Sequence, residues 1–482
     1  MKRICRITLA TVLSSGAFLP GLNAQDALLT GYFTDGYVYS HKLNPALTPA
    51  KGYVSMPFLN LVTSTGGNMK ATQLFYPGAD GRLKTFLSPE VSYGTVMGNL
   101  KPDNVFTSSV DWTLMSAGWY NKAGWIFNSI DISIRANEYS NIPAEAFGLV
   151  KNVGMTPGNI VKHSLDGLDT RLHSYLQLSF GQSFRIADKV NIGYKLKLLA
   201  GAAFAQVTYD KFTAELSNKS WHITAAGQLR CEPLCIGVKT NARGEKVYDF
   251  GNLSLGNPAD IASGIASNLG FAGDIGLSWD VTDAIQLSMA VQNLGFIGFN
   301  GACVGNAVET VNYAGYPSQT IDDQMIALRD DLASLFEFVP QGGQGGERYS
   351  FTLPFTARVG ADFRMSFYDR LSFGALYSQQ FFGRYGWLEA RLSANCDVLP
   401  WLGLSISYAG GTYGHQFGAI VNIYADVFNF FIGADNIPLR YSPQGIPLDT
   451  GTTCASIGVN FLIGKYRGRY PKSAVECSPV KN

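Results

Sequence analysis

The chain has 482 residues, 46% hydrophobic, 13% aromatic and only 15% charged, with 53 glycines and a formal net charge of +1. That balance excludes a nucleic-acid binder steered by a basic field. A mean hydropathy of +0.05, with no apolar run of about 18 residues beyond the N-terminus, excludes a helical membrane protein.

Residues 1–24 read as a secretory signal peptide. Lys2, Arg3 and Arg6 form the charged start, Ile7 to Leu19 the apolar stretch, and Leu22-Asn23-Ala24 the cleavage site. No cysteine follows that site, which argues against a lipid-anchored N-terminus. Residues 25–50 show no long alternation, and Pro45 and Pro49 forbid continuous ladder pairing. Pro57 interrupts the first candidate strand and marks a bulge there.

Two-faced segments then recur. Ile126, Ile130, Ile132 and Ile134 oppose Ser129, Asp131, Ser133 and Arg135, and Leu176, Leu178 and Phe180 oppose Gln177, Ser179 and Gly181. Ile192, Tyr194, Leu196 and Leu198 oppose Asn191, Gly193, Lys195 and Lys197, and Phe271, Ile275, Leu277 and Trp279 oppose Asp274, Gly276, Ser278 and Asp280. In Thr356 to Phe367, Ala357, Val359, Ala361 and Phe363 oppose Arg358, Gly360, Asp362 and Arg364; further on, Leu388, Ala390, Leu392 and Ala394 oppose Glu389, Arg391, Ser393 and Asn395. Successive side chains of a strand point to opposite faces. These segments reach the ~9–11 residues that a tilted strand needs to cross a bilayer. Slipping the register by one residue would put Arg358, Arg364 or Arg391 into lipid, at about 2–4 kcal/mol each. Hairpin-length connections such as Ala187-Asp188-Lys189, Thr282-Asp283-Ala284 and Ala425-Asp426-Val427 lie at one end. Long ones such as Glu138–Arg171 and Phe299–Thr352 lie at the other, the asymmetry of an outer-membrane barrel. The predicted fold is all-β, a transmembrane antiparallel barrel over residues 51–465 with a few short helices in its loops.

Two segments read as helices: Thr320 to Phe338, with Met325, Leu328, Leu332, Leu335 and Phe336 on one face, and a short one opening at Asn257-Pro258. Either packs on the barrel as an outer loop or enters the lumen as a gate. Cys231 and Cys235 in LRCEPLC stand close enough to form a disulfide across Glu232-Pro233, with Cys303, placed in a loop, as a rival partner. Cys396 and Cys454 fall on apolar strand faces. The last strand, Ser456 to Ile463, carries Gly458, Phe461 and Ile463 at the spacing of a barrel-assembly signal, and a polar tail, residues 466–482, follows it.

No Gly-x-Ser-x-Gly elbow, His-Glu-x-x-His or phosphate-cradling glycine loop is present, and the histidines are scattered. No enzyme activity, cofactor or metal is expected. Lumen-facing charges are mixed: Lys195, Lys197, Arg358, Arg364 and Arg391 against Asp274, Asp280, Asp362 and Glu389. Balanced charges form a cross-strand network that stiffens an interior, whereas a ring of one sign would select ions.

Ser40-His41-Lys42-Leu43-Asn44-Pro45-Ala46 with Gly52-Tyr53-Val54-Ser55-Met56-Pro57, Asn293-Leu294-Gly295-Phe296-Ile297, and Asp369-Arg370-Leu371-Ser372-Phe373-Gly374 together resemble a family of Bacteroidota outer-membrane barrels. That family is known mainly as a domain of unknown function and is related to FadL-type transporters and PorV-like proteins. The resemblance implies about fourteen strands in a Gram-negative outer membrane, with lipid and the barrel-assembly machinery as partners. Asn44-Pro45-Ala46 matches the motif of the FadL-type plug, which makes residues 25–50 a candidate plug; a periplasmic lead-in is the alternative. A wall kink such as that at Pro57 implies lateral exit for hydrophobic substrates. The implied function is binding or passive uptake of a hydrophobic or amphipathic small molecule. A PorV-like protein-interaction barrel of type IX secretion, or a purely structural barrel, are the competing readings.

Overall fold

The structure is a computed structural model that describes residues 27–78, 82–152, 161–217, 220–232, 237–241, 243–249, 267–313, 331–341, 347–368, 370–438, 441 and 452–465. Period-two alternation produces one closed wall. From Asp103–Tyr120 round to Thr453–Ile463, each strand pairs antiparallel with its neighbours. The ring closes where Gly52–Ser55 and Asn60–Gly67 lie between Asp103–Tyr120 and Thr453–Ile463. Fourteen strand positions complete the circle. One position is shared end to end by Trp221–Cys231 and Leu269–Asp280, both held between Val190–Leu216 and Ile285–Tyr313. Another is shared by Val339–Gln341, Glu347–Thr352 and Phe355–Arg364.

In Phe355–Arg364 the inward Thr356, Arg358, Asp362 and Arg364 are buried, whereas Val359 and Phe363 are 52% and 46% exposed. The same split places Leu196, Ile275, Met289, Leu392, Ile406 and Ile432 on an exposed outer belt. A continuous apolar belt of this extent is far larger than water-facing proteins carry, so its solvent is acyl chain. Beside the short turns stand exposed Trp125, Trp279, Phe367, Tyr368 and Trp401, the aromatic girdle of a membrane interface. Among the described residues no helix is long and apolar enough to cross a membrane.

The structure departs from the sequence reading at several points. The strand from Phe355 ends at Arg364 rather than Phe367, because Met365 N–H turns back to donate to Leu371 O at 3.0 Å. The connections read as Glu138–Arg171 and Phe299–Thr352 are partly wall: Ile126–Pro143, Leu168–Ala187 and Ile285–Tyr313 run on beyond the apolar belt. Three connections at that same end are short, namely Leu216 to Trp221, Phe381 to Trp387 and Gly411 to Gly414. Cys454 faces the lumen, not lipid, since it shares its face with Ser456 and Asn460. Cys303 lies in a strand rather than a loop, directly opposite Cys231. Cys235 falls outside the described residues, as do residues 1–26, 466–482, the helix read from Asn257-Pro258 and most of that read from Thr320. Of the last, residues 331–334 are helical.

Pro57 does interrupt the wall. The chain leaves the ladder over residues 56–59, with Phe58 at φ +63°. Asn60 fills the gap with its side chain: Nδ2 donates to Met56 O (3.1 Å), and Oδ1 accepts from Val459 N–H (3.1 Å).

Candidate functional site

A barrel wall with a polar inner face leaves a lumen that has to be filled or wet. Here residues 27–50 fill its short-turn half. Their large apolar side chains (Leu28, Leu29, Tyr32, Tyr37, Val38, Tyr39, Leu43) are buried against one another and the wall. Room for them comes from inward-facing glycines. A Cβ on Gly374 would overlap the Phe33 ring, one on Gly276 the Asn44 amide, and one on Gly193 the Pro45 carbonyl.

Polar contacts tie this segment to strands all round the ring. Leu29 N–H donates to Asp435 Oδ2 at 2.6 Å, and Arg391 Nη1 donates to Asp435 Oδ1 at 2.8 Å. Arg391 Nε also pairs with Glu389 Oε1 at 2.7 Å. Asn44 Nδ2 reaches the carbonyls of Leu277 (3.3 Å) and Met289 (3.1 Å) and the Tyr32 hydroxyl (3.1 Å), while its Oδ1 accepts from Ala46 N–H at 2.9 Å. Pro45, lacking an N–H, lets the chain turn there without an orphan donor.

His41 closes a ring of hydrogen bonds. Its Nε2 meets Tyr53 OH (2.6 Å), which meets Ser116 Oγ (2.7 Å), which donates to Asp131 Oδ1 (2.5 Å). Asp131 Oδ2 pairs with Lys195 Nζ (2.8 Å), and Lys195 lies 3.2 Å from His41 Nδ1. Burial, and then the Lys195 and Lys42 ammoniums, hold the His41 imidazole well below its ordinary range against the pull of Asp131, so it stays neutral and accepts at Nδ1.

The other charges are distributed as follows. Lys197 pairs with Asp274 at 2.7 Å and also donates to Asn293 Oδ1 at 2.6 Å. Arg358 donates to Leu43 O at 3.3 Å and to Gln292 Oε1, and Arg364 pairs with Asp35 of the inner segment at 2.5 Å. Asp280 accepts from Gln286 Nε2 at 2.8 Å. Asp280, Asp362 and Arg364, with Asp35, Arg185 and Ser278, edge a polar cavity of about 130 Å³ between the segment and the short-turn mouth. Gly458 packs flat under Phe431, while Phe461 and Ile463 are 49% and 44% exposed on the outer face. Among the described residues no three His, Cys, Asp or Glu side chains are placed to hold a metal.

The far half of the lumen is chemically different. Tyr139, Tyr175, Phe204, Phe299, Phe351 and Tyr385 form a buried layer with Leu199, Ile297 and Leu353. The turn Gly383–Tyr385 crosses to wall strands that are not its neighbours: Tyr385 OH donates to Asp169 Oδ2 at 2.8 Å, and the Phe382 ring lies 4.7 Å from that of Tyr139. Sequence reading did not single out Asp435, Asn60, His41 or this layer, because the partners of each are distant in the chain.

No protein of curated function matches the sequence. Among solved structures, the toluene transporter TodX of P. putida is similar at 9% identity and a TM-score of 0.42, over 90% of this chain and 94% of that one. The Ralstonia pickettii toluene transporter TbuX matches at 11% and 0.43, over 89% and 95%. A Pseudomonas aeruginosa FadL homologue matches at 11% and 0.41, over 92% and 99%. The profile of a family of unknown function, DUF5723, matches residues 45–435. Most of the chain falls within that match, and the protein belongs to this family.

Proposed function

We propose that the barrel binds and passively admits a small hydrophobic or amphipathic molecule across the outer membrane of a Gram-negative cell, with residues 25–50 as its plug. In this reading residues 1–24 direct export and are removed, the assembly machinery recognises Gly458, Phe461 and Ile463, and the bulge at Pro57 marks a lateral exit. One observation carries the proposal: beyond a polar, plugged half, the lumen is closed by apolar rings. A channel for ions or sugars needs a wet lining, whereas an apolar solute partitions into rings. The lumen charges pair with one another and with the plug, which suits a stiffening network.

The test is purification in mild detergent, identification of co-purifying small molecules and proteins, and liposome uptake of naphthalene with and without residues 27–50. Uptake that depends on the barrel and rises on plug deletion supports the reading. A barrel that neither holds a small molecule nor passes naphthalene, even unplugged, overturns it. A protein-partner role of the type IX secretion kind draws on a separate observation. Val190–Leu216 and Ile285–Tyr313 rise past the apolar belt, and the hairpin Gly237–Thr240 with Lys246–Asp249, exposed along its first strand, stands among the segments on that side. A stoichiometric protein in the purified sample would favour it.

A further inference from the structure

Among the described residues of the far lumen, His173 has a chemistry that the ring layer does not explain. It stands on Leu168–Ala187, points inward and has no exposed surface. Neither Nδ1 nor Nε2 has a hydrogen-bond partner among the described residues. Its ring lies flat on Phe351, centroids 3.6 Å apart and planes 17° from parallel, with Phe204 and Tyr349 stacked at 6.5 Å. Phe351 belongs to Glu347–Thr352, which is not a wall neighbour of the strand of His173, so the lumen is pinched shut between them.

A buried imidazole with both nitrogens unpaired is costly and rare. The polar groups nearby are already engaged. Tyr349 OH donates to Gln206 Oε1 at 3.0 Å, and Asp169 is taken by Arg171 Nε, Thr208 Oγ1 and Tyr385 OH, each at 2.8–2.9 Å. A water would find aromatic faces rather than the two to four polar partners it needs.

We propose that His173 is the polar contact of a ligand site in the aromatic layer, and that its ligand is a flat, uncharged, mainly apolar molecule bearing one hydrogen-bonding group. This rests on the reading of the barrel as a carrier of small apolar molecules and narrows the class. Ring faces select a flat apolar body, and the imidazole, donor on one side and acceptor on the other, satisfies a hydroxyl or a carbonyl equally. A charged group is disfavoured because the layer is apolar and the neighbouring Arg171 is already neutralised by Asp169 at 2.8 Å. The movable part is the crossing turn: Gly383 sits at φ +53°, and beyond its ring contacts the turn is held by Tyr385 on Asp169 and by Arg384 on Gly167 O (3.2 Å) and Asp103 (3.8 Å). Lifting it withdraws Phe382 from Phe351 and opens the layer above His173.

The experiment is equilibrium dialysis of 2-naphthol and naphthalene against the full-length exported protein in detergent, with matched empty micelles as reference. 2-Naphthol is expected to bind about five- to tenfold tighter than naphthalene, the worth of one hydrogen bond. In His173→Phe that preference should fall to about one. Should the variant not fold, judged by heat-modifiable gel mobility, the wild type still decides: the His173 imidazole ¹⁵N resonances shift with 2-naphthol and not with naphthalene. Equal affinity for the two probes, a preference that survives His173→Phe, or unmoved resonances overturns the inference. Naphthalene binding and uptake without any preference would sink this site alone; no binding or uptake of either probe would sink the carrier reading with it.

Discussion

The carboxylate of Asp435 accepts the backbone N–H of Leu29 at 2.6 Å across 406 residues of chain, while Arg391 donates to the same carboxylate at 2.8 Å. Asp435 and Arg391 are both nearly devoid of exposed surface. One buried ion pair therefore holds the first helical turn of residues 27–50, the proposed plug. Removing one partner of such a pair strands the other, at about 3–5 kcal/mol. Asp435→Ala is expected to free the plug while the ring stays closed. Trypsin should then cut at Lys42 in the variant and not in the wild type, with gel mobility of the folded barrel unchanged. Wild-type protection of Lys42 in the variant would refute this role.

The glycines under the plug allow a second test. A Cβ at Gly374 meets the Phe33 ring, and one at Gly276 meets the Asn44 side-chain amide, which its bonds to Leu277 O and Met289 O hold in place. Gly374→Val and Gly276→Val should each weaken plug seating by about 1–3 kcal/mol. Gly94→Ala is the contrast: it sits in the helix Tyr93–Asn99 with open space around it and should stabilise by about 0.5–1 kcal/mol. Chemical unfolding in detergent distinguishes the two signs.

Acid should loosen the plug. The seated His41 is held neutral by burial and by the cations facing it, Lys195 and Lys42, against the anion Asp131; the rings of Tyr39, Tyr53 and Phe127 pack around it. Once released, it titrates near its ordinary value of about 6.5. The released state then binds the extra proton, so seating is complete above that pH and is lost as pH falls, by about 1.4 kcal/mol per unit. Protease access to residues 27–50 should rise between pH 7 and 5 in the wild type and stay flat in His41→Gln. A flat wild-type profile would contradict the ring of hydrogen bonds around His41.

How much of this was legible depends on the range of the interaction. The two faces of Thr356–Arg364 were readable because alternation is local, and so were the turns at Ala187 and Thr282. Asn44-Pro45-Ala46 was visible as a motif, but not its docking on the carbonyls of Leu277 and Met289, some 233 and 245 residues on. Lys195 and Asp131 each carried a face assignment; they meet at 2.8 Å across the intervening strand Leu168–Ala187, where Gly181 leaves room for the lysine side chain. His173 reads as one of several scattered histidines because nothing in its neighbourhood of sequence names Phe351.

The outer face can be tested by the cost of charge. Leu392 is 64% exposed in the middle of Trp387–Leu399, between inward Arg391 and Ser393. Leu392→Arg should destabilise the barrel in bilayers by about 2–4 kcal/mol, and the same change on a water-facing strand by far less. Urea unfolding from thin-bilayer vesicles measures it. A cost below about 0.5 kcal/mol would remove Leu392 from the lipid belt.

The seam of the barrel rests on a side chain rather than on ladder alone. Where residues 56–59 bulge outward, Val459 O still accepts from Met56 N–H at 2.9 Å, but the Val459 N–H has no backbone acceptor there, and Asn60 Oδ1 takes it instead. Its Nδ2 holds Met56 O, fixing the bulge at the angle that lets Trp112 Nε1 donate to Phe58 O at 3.0 Å. Asn60→Ala leaves the Val459 N–H orphaned inside the wall, at about 1–3 kcal/mol. Amide exchange at Val459 should accelerate by roughly tenfold or more, with little change at Ala290 in Ile285–Tyr313, on the opposite side of the ring. Asn60→Asp separates the two contacts: it keeps the acceptor for Val459 and loses the donor to Met56. Protection should then return at Val459 while the bulge at Phe58 becomes more mobile. If Val459 exchanges equally slowly in all three proteins, the seam closes without Asn60, and the bulge is an ornament of the wall instead of its fastening.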